Sequence, residues 1–297
     1  MLLGSPAVVS AVDRRAVADV TGSPDASSSL VTTLHGHTAQ YLESKGRKLP
    51  KNLGVSLTSS GFRIGKNKLG LGSSAAVAAG AVGALFELGG LPIVDHRSEI
   101  LEVAKAGHFA SQGGKGSGAD VAAAVLGGTI VYRMAQPPVP VSIEGLFISV
   151  IWSGRSVSTA EMIAKIHEFQ QNSPVRYRAR MSCLKTGADA MADAFVRHDL
   201  DGIVNGARDY AAAMDALGTA AEVAIVTKPH RCLINMAEDL GGAAKPSGAG
   251  GGDIAVAFFT DPDAMDAFKV LCIRYELPVL ELSAHAPGLR RETFQSH

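Results

Sequence analysis

Short apolar runs, longer amphipathic stretches and three glycine-rich breaks divide this chain. PAVVSAV (6–12) and AVADV (16–20), parted by the polar DRR, predict two strands within 6–21. Residues 27–44 carry a helical pattern, and VSLTSSGFRI (55–64) reads as a strand. After KNKLGLGSS, the stretch AAVAAGAVGALFEL (75–88) has strong helix composition. Asp95 or Ser98 is placed to cap a helix over SEILEVAKAGHFASQ (98–112). A second glycine-rich loop, GGKGSGAD (113–120), precedes VAAAVLGG, and TIVYRM and LFISVIWSG are strands. Residues 159–217 are almost wholly helical in pattern. A third glycine-rich loop, KPSGAGGGD (245–253), leads into the strand IAVAFF, then a helix over 261–275 and a final strand, LPVLELSA. Mixed order rather than strict βαβ alternation predicts an α+β chain, and the change to long helices near residue 150 marks a boundary.

Composition narrows the class. With 297 residues, 46% of them hydrophobic, the chain can bury a sizeable core in one large domain or two ordinary ones. Lys and Arg total 28 and Asp and Glu 28, so nothing points to nucleic acid or an anionic membrane as partner. Three separated cysteines, Cys183, Cys232 and Cys272, form no CxxC pair, and all three read as buried small hydrophobes in a reducing, cytoplasmic setting. The apolar run 71–88 is rich in Gly and Ala and broken by Glu87, so it reads as a buried helix rather than a membrane span. The first residues lack the basic start of a signal peptide.

The loops carry the chemistry. In Lys68-Leu69-Gly70-Leu71-Gly72-Ser73-Ser74-Ala75, two glycines permit close backbone approach, and two hydroxyls follow where a helix opens. Free N–H groups and the positive end of the helix dipole suit phosphate there; Ser73 or Ser74 can ligate Mg²⁺, and Lys68 can neutralise charge. Taken alone, the loop also reads as a Gly-Ser turn with a capping serine, or as the dinucleotide fingerprint GxGxxG/A. The fingerprint normally follows an apolar strand directly, whereas here GKNKL intervenes. A Walker A loop fails at both Gly65-Lys66 and Gly114-Lys115, which lack the earlier glycine and the following hydroxyl. The second loop sets Asp120 behind Lys115-Gly116-Ser117-Gly118, either as a helix cap or as a general base or Mg²⁺ contact. The third, Ser247-Gly248-Ala249-Gly250-Gly251-Gly252-Asp253, has enough consecutive amides for an anion nest.

These three loops, in this order, resemble the GHMP kinase superfamily, which includes galactokinases, homoserine kinases and mevalonate-pathway kinases. LGLGSSAA looks like its ATP-phosphate loop and KPSGAGGGD like its third motif. GSGADVAAAVLGG, with Lys68-Leu69, His108, Gln112, WSGRSVST (152–159) and Gly288-Leu289-Arg290, is most like the phosphomevalonate kinase pattern. The likeness runs from about Gly4 to Arg290. It implies two α+β domains, 1–147 for ATP binding (ribosomal protein S5 domain 2-like) and 148–297 (ferredoxin-like). It implies a cytoplasmic kinase that uses ATP and Mg²⁺ to phosphorylate 5-phosphomevalonate in the mevalonate route to isoprenoids. By resemblance, Gly70, Leu71, Gly72, Ser73, Ser74 and Ala75 hold the nucleotide, Ser74 and Asp120 the metal, and Asp120 and Lys68 are catalytic. Lys115, Gly116, Ser117, Ser158, Thr159, Ser247, Gly248, Ala249, Gly250 and Gly251 would form the substrate site. An acceptor phosphate is ionised near neutral pH and scarcely needs a base.

One departure bears on activity. The family's opening PGK…GEYAVL segment is represented only by its tail, GSPAVV, so its lysine and Gly-Glu-Tyr are absent. An incorrect start, a truncated chain or a non-catalytic nucleotide-binding paralogue would each explain this; within enzymes the alternative is mevalonate kinase or another GHMP kinase. His35 and His37 lack further ligands nearby and read as packing or surface residues. Ser158 and Thr159 serve equally as caps of the helix that follows. Arg176-Tyr-Arg-Ala-Arg180 reads as a solvated helix face that could reach an anionic substrate. Oligomeric state is not legible.

Overall fold

The computed structural model describes residues 4–21, 28–50, 53–154 and 159–292. In chain order the elements are β1 (Ala7–Ser10), β2 (Val17–Thr21), α1 (Ser29–Ser44), β3 (Gly54–Thr58), a 3₁₀ turn (Ser60–Phe62), β4 (Arg63–Ile64), β5 (Asn67–Lys68), α2 (Ser73–Leu88), α3 (Arg97–Ser111), α4 (Ala119–Leu126), β6 (Thr129–Tyr132) and β7 (Val139–Val141). The second half runs β8 (Phe147–Trp152), α5 (Thr159–Asn172), α6 (Pro174–Arg197), α7 (Leu200–Ala220), α8 (Lys228–Asp239), β9 (Ala243–Pro246), β10 (Ile254–Phe259), α9 (Pro262–Arg274) and β11 (Val279–Leu280). The α+β expectation holds.

Helices α1 to α4 form the first core with β2 and β3. In α2 the residues Ala75, Ala78, Ala79, Val82, Leu85 and Phe86 recur at helical spacing and are all buried. Its small residues matter for distance: a methyl on Gly83 would meet Leu289 at 2.7 Å, so the helix can only pack this closely without one. Three antiparallel strands, β1-β6-β7, form one sheet, and β11-β8-β10-β9 another.

IAVAFF is apolar without alternation because both its faces are covered. Val256 and Phe258 face the cluster built by α6 and α7, while Ala255, Ala257 and Phe259 face α8 and α9. Met191, Phe195 and Ile203 pack with Val131 and Val141 as well as with Phe258, so the two halves share this core. Bridges Val12–Ala284 and Gly127–Pro287 tie the last segment back to the first half.

Several local expectations are corrected. Helix α3 is capped by His96, without a side-chain cap bond, rather than by Asp95 or Ser98. Cys183 is exposed on α6, and only Cys272 is fully buried. Helix α8 was not anticipated. Among the described residues, no helix is long and apolar enough to cross a membrane, and no cluster of three metal-ligating side chains includes His35 or His37.

Candidate active site

Two of the glycine-rich loops end in helices whose caps are themselves glycines. Gly72 caps α2 at φ 75° and Gly118 caps α4 at φ 77°, and neither helix has a side-chain cap. Left-handed backbone selects glycine at both positions. In α2 the first-turn amides meet no side-chain cap, whereas in α4 Ala119 N donates to Ser117 Oγ at 3.3 Å and Val121 N to Asp120 Oδ1 at 2.9 Å, so α2 is the helix whose start is left for a ligand. The glycine caps remove the capping reading of Ser73 and of Asp120, which lies one position inside α4.

The loops converge. A methyl built on Gly72 would stand 3.7 Å from Asp120 Cβ, and one on Gly70 would stand 2.9 Å from Asp253 Cβ. The first loop thus lies between the second and the third. It is pinned by Leu69, 3% exposed, and by Leu71, which pack on Val150, Ile254 and Leu280 of the four-stranded sheet. Leu71 also reaches the cleft wall.

Ser74 is oriented from behind. His108, buried on α3, brings Nε2 to 3.1 Å from Ser74 Oγ. With Gln112 Nε2 donating to the same ring nitrogen at 3.2 Å, that nitrogen is an acceptor and the serine hydroxyl donates to it. The oxygen lone pairs of Ser74 are left free of that bond, as a metal ligand requires. Tyr132 OH donates to Ser117 O at 2.6 Å, and Ser117 Oγ accepts from Ala119 N at 3.3 Å, which holds the second loop in its turn.

A cleft of about 1930 Å³ opens over these loops. Its walls include Gly70, Leu71, Gly72, Lys115, Gly116, Ser117, Asp120, Ser247, Gly248 and Ala249. Gly250 and Gly251 sit inside the loop instead: Gly251 N donates to Ile225 O at 2.7 Å, and both residues are turned from the cleft. Ser73 and Ser74 are half-buried and Ala75 fully buried in α2, all three outside the cleft wall. Lys68 stands on the exposed β4–β5 hairpin, opposite Arg63 in the strand register and outside the cleft wall. Ser158 lies outside the described residues; Thr159 opens α5, and its side chain is not among those described.

Sequence reasoning caught one wall only in part: Tyr177 and Arg178 fall in the run 176–180 read as able to reach an anionic substrate, while Lys185 and Tyr210 were missed. Helix α6 contributes Tyr177, Arg178 and Lys185, α7 contributes Tyr210, and β9 contributes Lys245. Lys185 is paired with Asp189 at 2.7 Å, and that lysine together with Arg133 holds the Asp189 carboxyl below its ordinary pKa. Burial lowers Lys245 to about 8. A lysine directly before a glycine-rich motif was the available signal.

Three glycine-rich loops that converge beside one cleft suit a phosphate-bearing ligand, and comparison with known proteins gives the family. The model of the GHMP kinases N-terminal domain matches residues 30–128, and that of the GHMP kinases C-terminal domain matches 191–276. The chain belongs to the GHMP kinases and is a phosphotransferase. It is 29% identical over 261 residues to a phosphomevalonate kinase of Streptomyces sp. (strain CL190), covering 78% of this chain and 67% of that one. A mevalonate kinase of Thermococcus sibiricus is 37% identical over 127 residues, 42% of this chain and 35% of that one. In fold it matches Streptococcus pneumoniae phosphomevalonate kinase in complex with phosphomevalonate and AMPPNP (TM-score 0.79, 20% identity, 95% and 93% of the two chains). Lactococcus lactis galactokinase complexed with galactose also matches (TM-score 0.68, 15% identity, 96% and 88%).

Proposed function

We propose that this chain transfers the γ-phosphoryl group of ATP to the phosphate of 5-phosphomevalonate, giving 5-diphosphomevalonate and ADP. The observation that carries this reading is the convergence of two glycine-capped helix N-termini, α2 and α4, with Asp120 beside Gly72. The identity to a phosphomevalonate kinase over 261 residues supports the acceptor.

In this reading the amides at the start of α2 hold the nucleotide phosphates, and Ser74 and Asp120 hold Mg²⁺. The fit is favourable: the Ser74 hydroxyl proton is engaged by His108, and Asp120 is a carboxylate at the loop junction. Bound there, Mg²⁺ would neutralise charge on the phosphate oxygens. Lys115, Ser117 and Ser247, which line the cleft, would take the acceptor. An oxygen of the acceptor phosphate attacks the γ-phosphorus, the bond from that phosphorus to the bridging oxygen breaks, and the electron pair leaves with ADP. The acceptor is already ionised, so the protein's work is positioning and charge stabilisation.

The test is turnover with ATP and each of mevalonate, 5-phosphomevalonate, homoserine and galactose. The highest kcat/KM should belong to 5-phosphomevalonate. A clear preference for mevalonate would instead assign the chain to the mevalonate kinases, the second reading, which the Thermococcus match favours.

A further inference from the structure

Lys245 is a cation in the cleft wall without a carboxylate beside it. It lies on β9 two residues before Ser247. Its Nζ donates to Pro246 O at 2.7 Å and stands 5.4 Å from the centre of the Tyr210 ring. The groups that face it bring no negative charge. Tyr210 of α7 has its pKa raised by burial, so its hydroxyl stays neutral. His230 of α8 is held near 4 by burial and is neutral too. Opposite Lys245 on β10 is Val256. Arg178 and Lys185, on the α6 part of the wall, are themselves cationic, and Lys185 is already taken by Asp189. An amine held in such surroundings is costly to keep charged unless an anion joins it.

We propose that Lys245 binds an oxyanion of the acceptor, its carboxylate or its phosphate, and so selects acidic acceptors over neutral ones. This rests on the kinase reading above and extends it to a residue on the wall formed by α6, α7 and β9. The Tyr210 ring lies 5.4 Å from the amine, and Lys245 is among the residues that line the cleft. Because burial lowers the free amine to about 8, an arriving anion raises its proton affinity, and binding above that pH takes up a proton.

The experiment is calorimetric binding of three acceptors, in the presence of AMPPNP, to the wild type, Lys245→Met and Lys245→Arg. The acceptors are 5-phosphomevalonate, its methyl ester, which lacks the carboxylate charge, and mevalonate, which lacks the phosphate. Lys245→Met should weaken 5-phosphomevalonate by about tenfold or more, the scale of a lost charge-assisted hydrogen bond, with AMPPNP affinity unchanged and part of the loss recovered in Lys245→Arg. The penalty should vanish against one truncated acceptor: against the ester if Lys245 holds the carboxylate, against mevalonate if it holds the phosphate. Binding to the wild type at pH 9, compared in buffers of different ionisation enthalpy, should show proton uptake, a reading that needs no variant. Unchanged affinity in Lys245→Met, an equal penalty against both truncated acceptors, or no proton uptake overturns the proposal while leaving the kinase reading intact. A wild type that binds no phosphorylated acceptor overturns both.

Discussion

Gly70 and Gly72 have the same backbone requirement but different neighbours, and that difference can be measured. Their φ angles are 70° and 75°. Alanine in left-handed backbone costs ~1–2 kcal/mol, offset by roughly 0.4–1 kcal/mol from the stiffer unfolded chain. Gly72→Ala has room, since its nearest neighbour would be Asp120 Cβ at 3.7 Å; its net cost should be about 1 kcal/mol. Gly70→Ala would press on Asp253 at 2.9 Å from Cβ and 3.0 Å from Cγ and Oδ2. Asp253 has little freedom to retreat. It sits at φ 54°, its carbonyl accepts from Ser153 N at 2.7 Å, and its Oδ1 is buried without a partner. Leu69, at 3% exposed, prevents the first loop from yielding instead. Overpacking of this kind costs ~1–3 kcal/mol, so Gly70→Ala should lose about 2–4 kcal/mol. Urea midpoints of both variants, with KM for ATP, measure this, and Asp253→Gly in the Gly70→Ala background should recover much of the added loss. Equal losses in the two single variants, or no recovery in the double, would refute the idea that the first and third loops are locked by this contact.

Four further outcomes follow from the same geometry. Ser74→Ala should weaken Mg-ATP binding by calorimetry while leaving the fold intact; unchanged affinity would remove Ser74 from the metal site. Asp120→Asn should lower kcat by roughly 10²–10³ with little change in thermal stability, as expected for loss of a preorganised charge; a kcat near wild type would show that the charge is dispensable. Gly250→Val should unfold or strongly destabilise the C-terminal half, because its Cβ would stand 2.6 Å from Ile225 O in backbone at φ 80°; a normal urea midpoint would contradict that. His230 has its pKa lowered by burial from 6.5 to about 4, and Nδ1 accepts from Thr227 N at 3.3 Å, which requires the neutral ring. Between those pH values the unfolded chain binds a proton that the folded one refuses, so stability should fall as pH drops through that window. A His230→Gln variant should show a flatter melting profile there, and an unchanged slope would place the acid sensitivity elsewhere.

What the chain determines locally was legible in its residues. Glycines that must adopt left-handed backbone, hydroxyls at a helix start and apolar runs at helical or strand spacing impose their conformations from within a few positions, so the three loops, α2, α4 and β10 could all be read in advance. Helix α8 escaped although Thr227 and Pro229 mark a helix start and Leu233, Met236 and Ala237 line one buried face; the one unusual signal is its capping box, which uses His230 where Glu or Gln is usual. Other features depend on which distant segments meet. Nothing near Lys68 says that a hairpin will carry it out of the cleft, and nothing near Lys245 says that Tyr210 and His230 will surround it without an acid. The contact of Gly70 with Asp253, and that of Ser74 with His108, join positions 183 and 34 residues apart. Charge balance and packing at such places are sums over neighbours supplied by the whole fold, so the sequence by itself determined the loops, and only the tertiary structure decided which residues face one another across them.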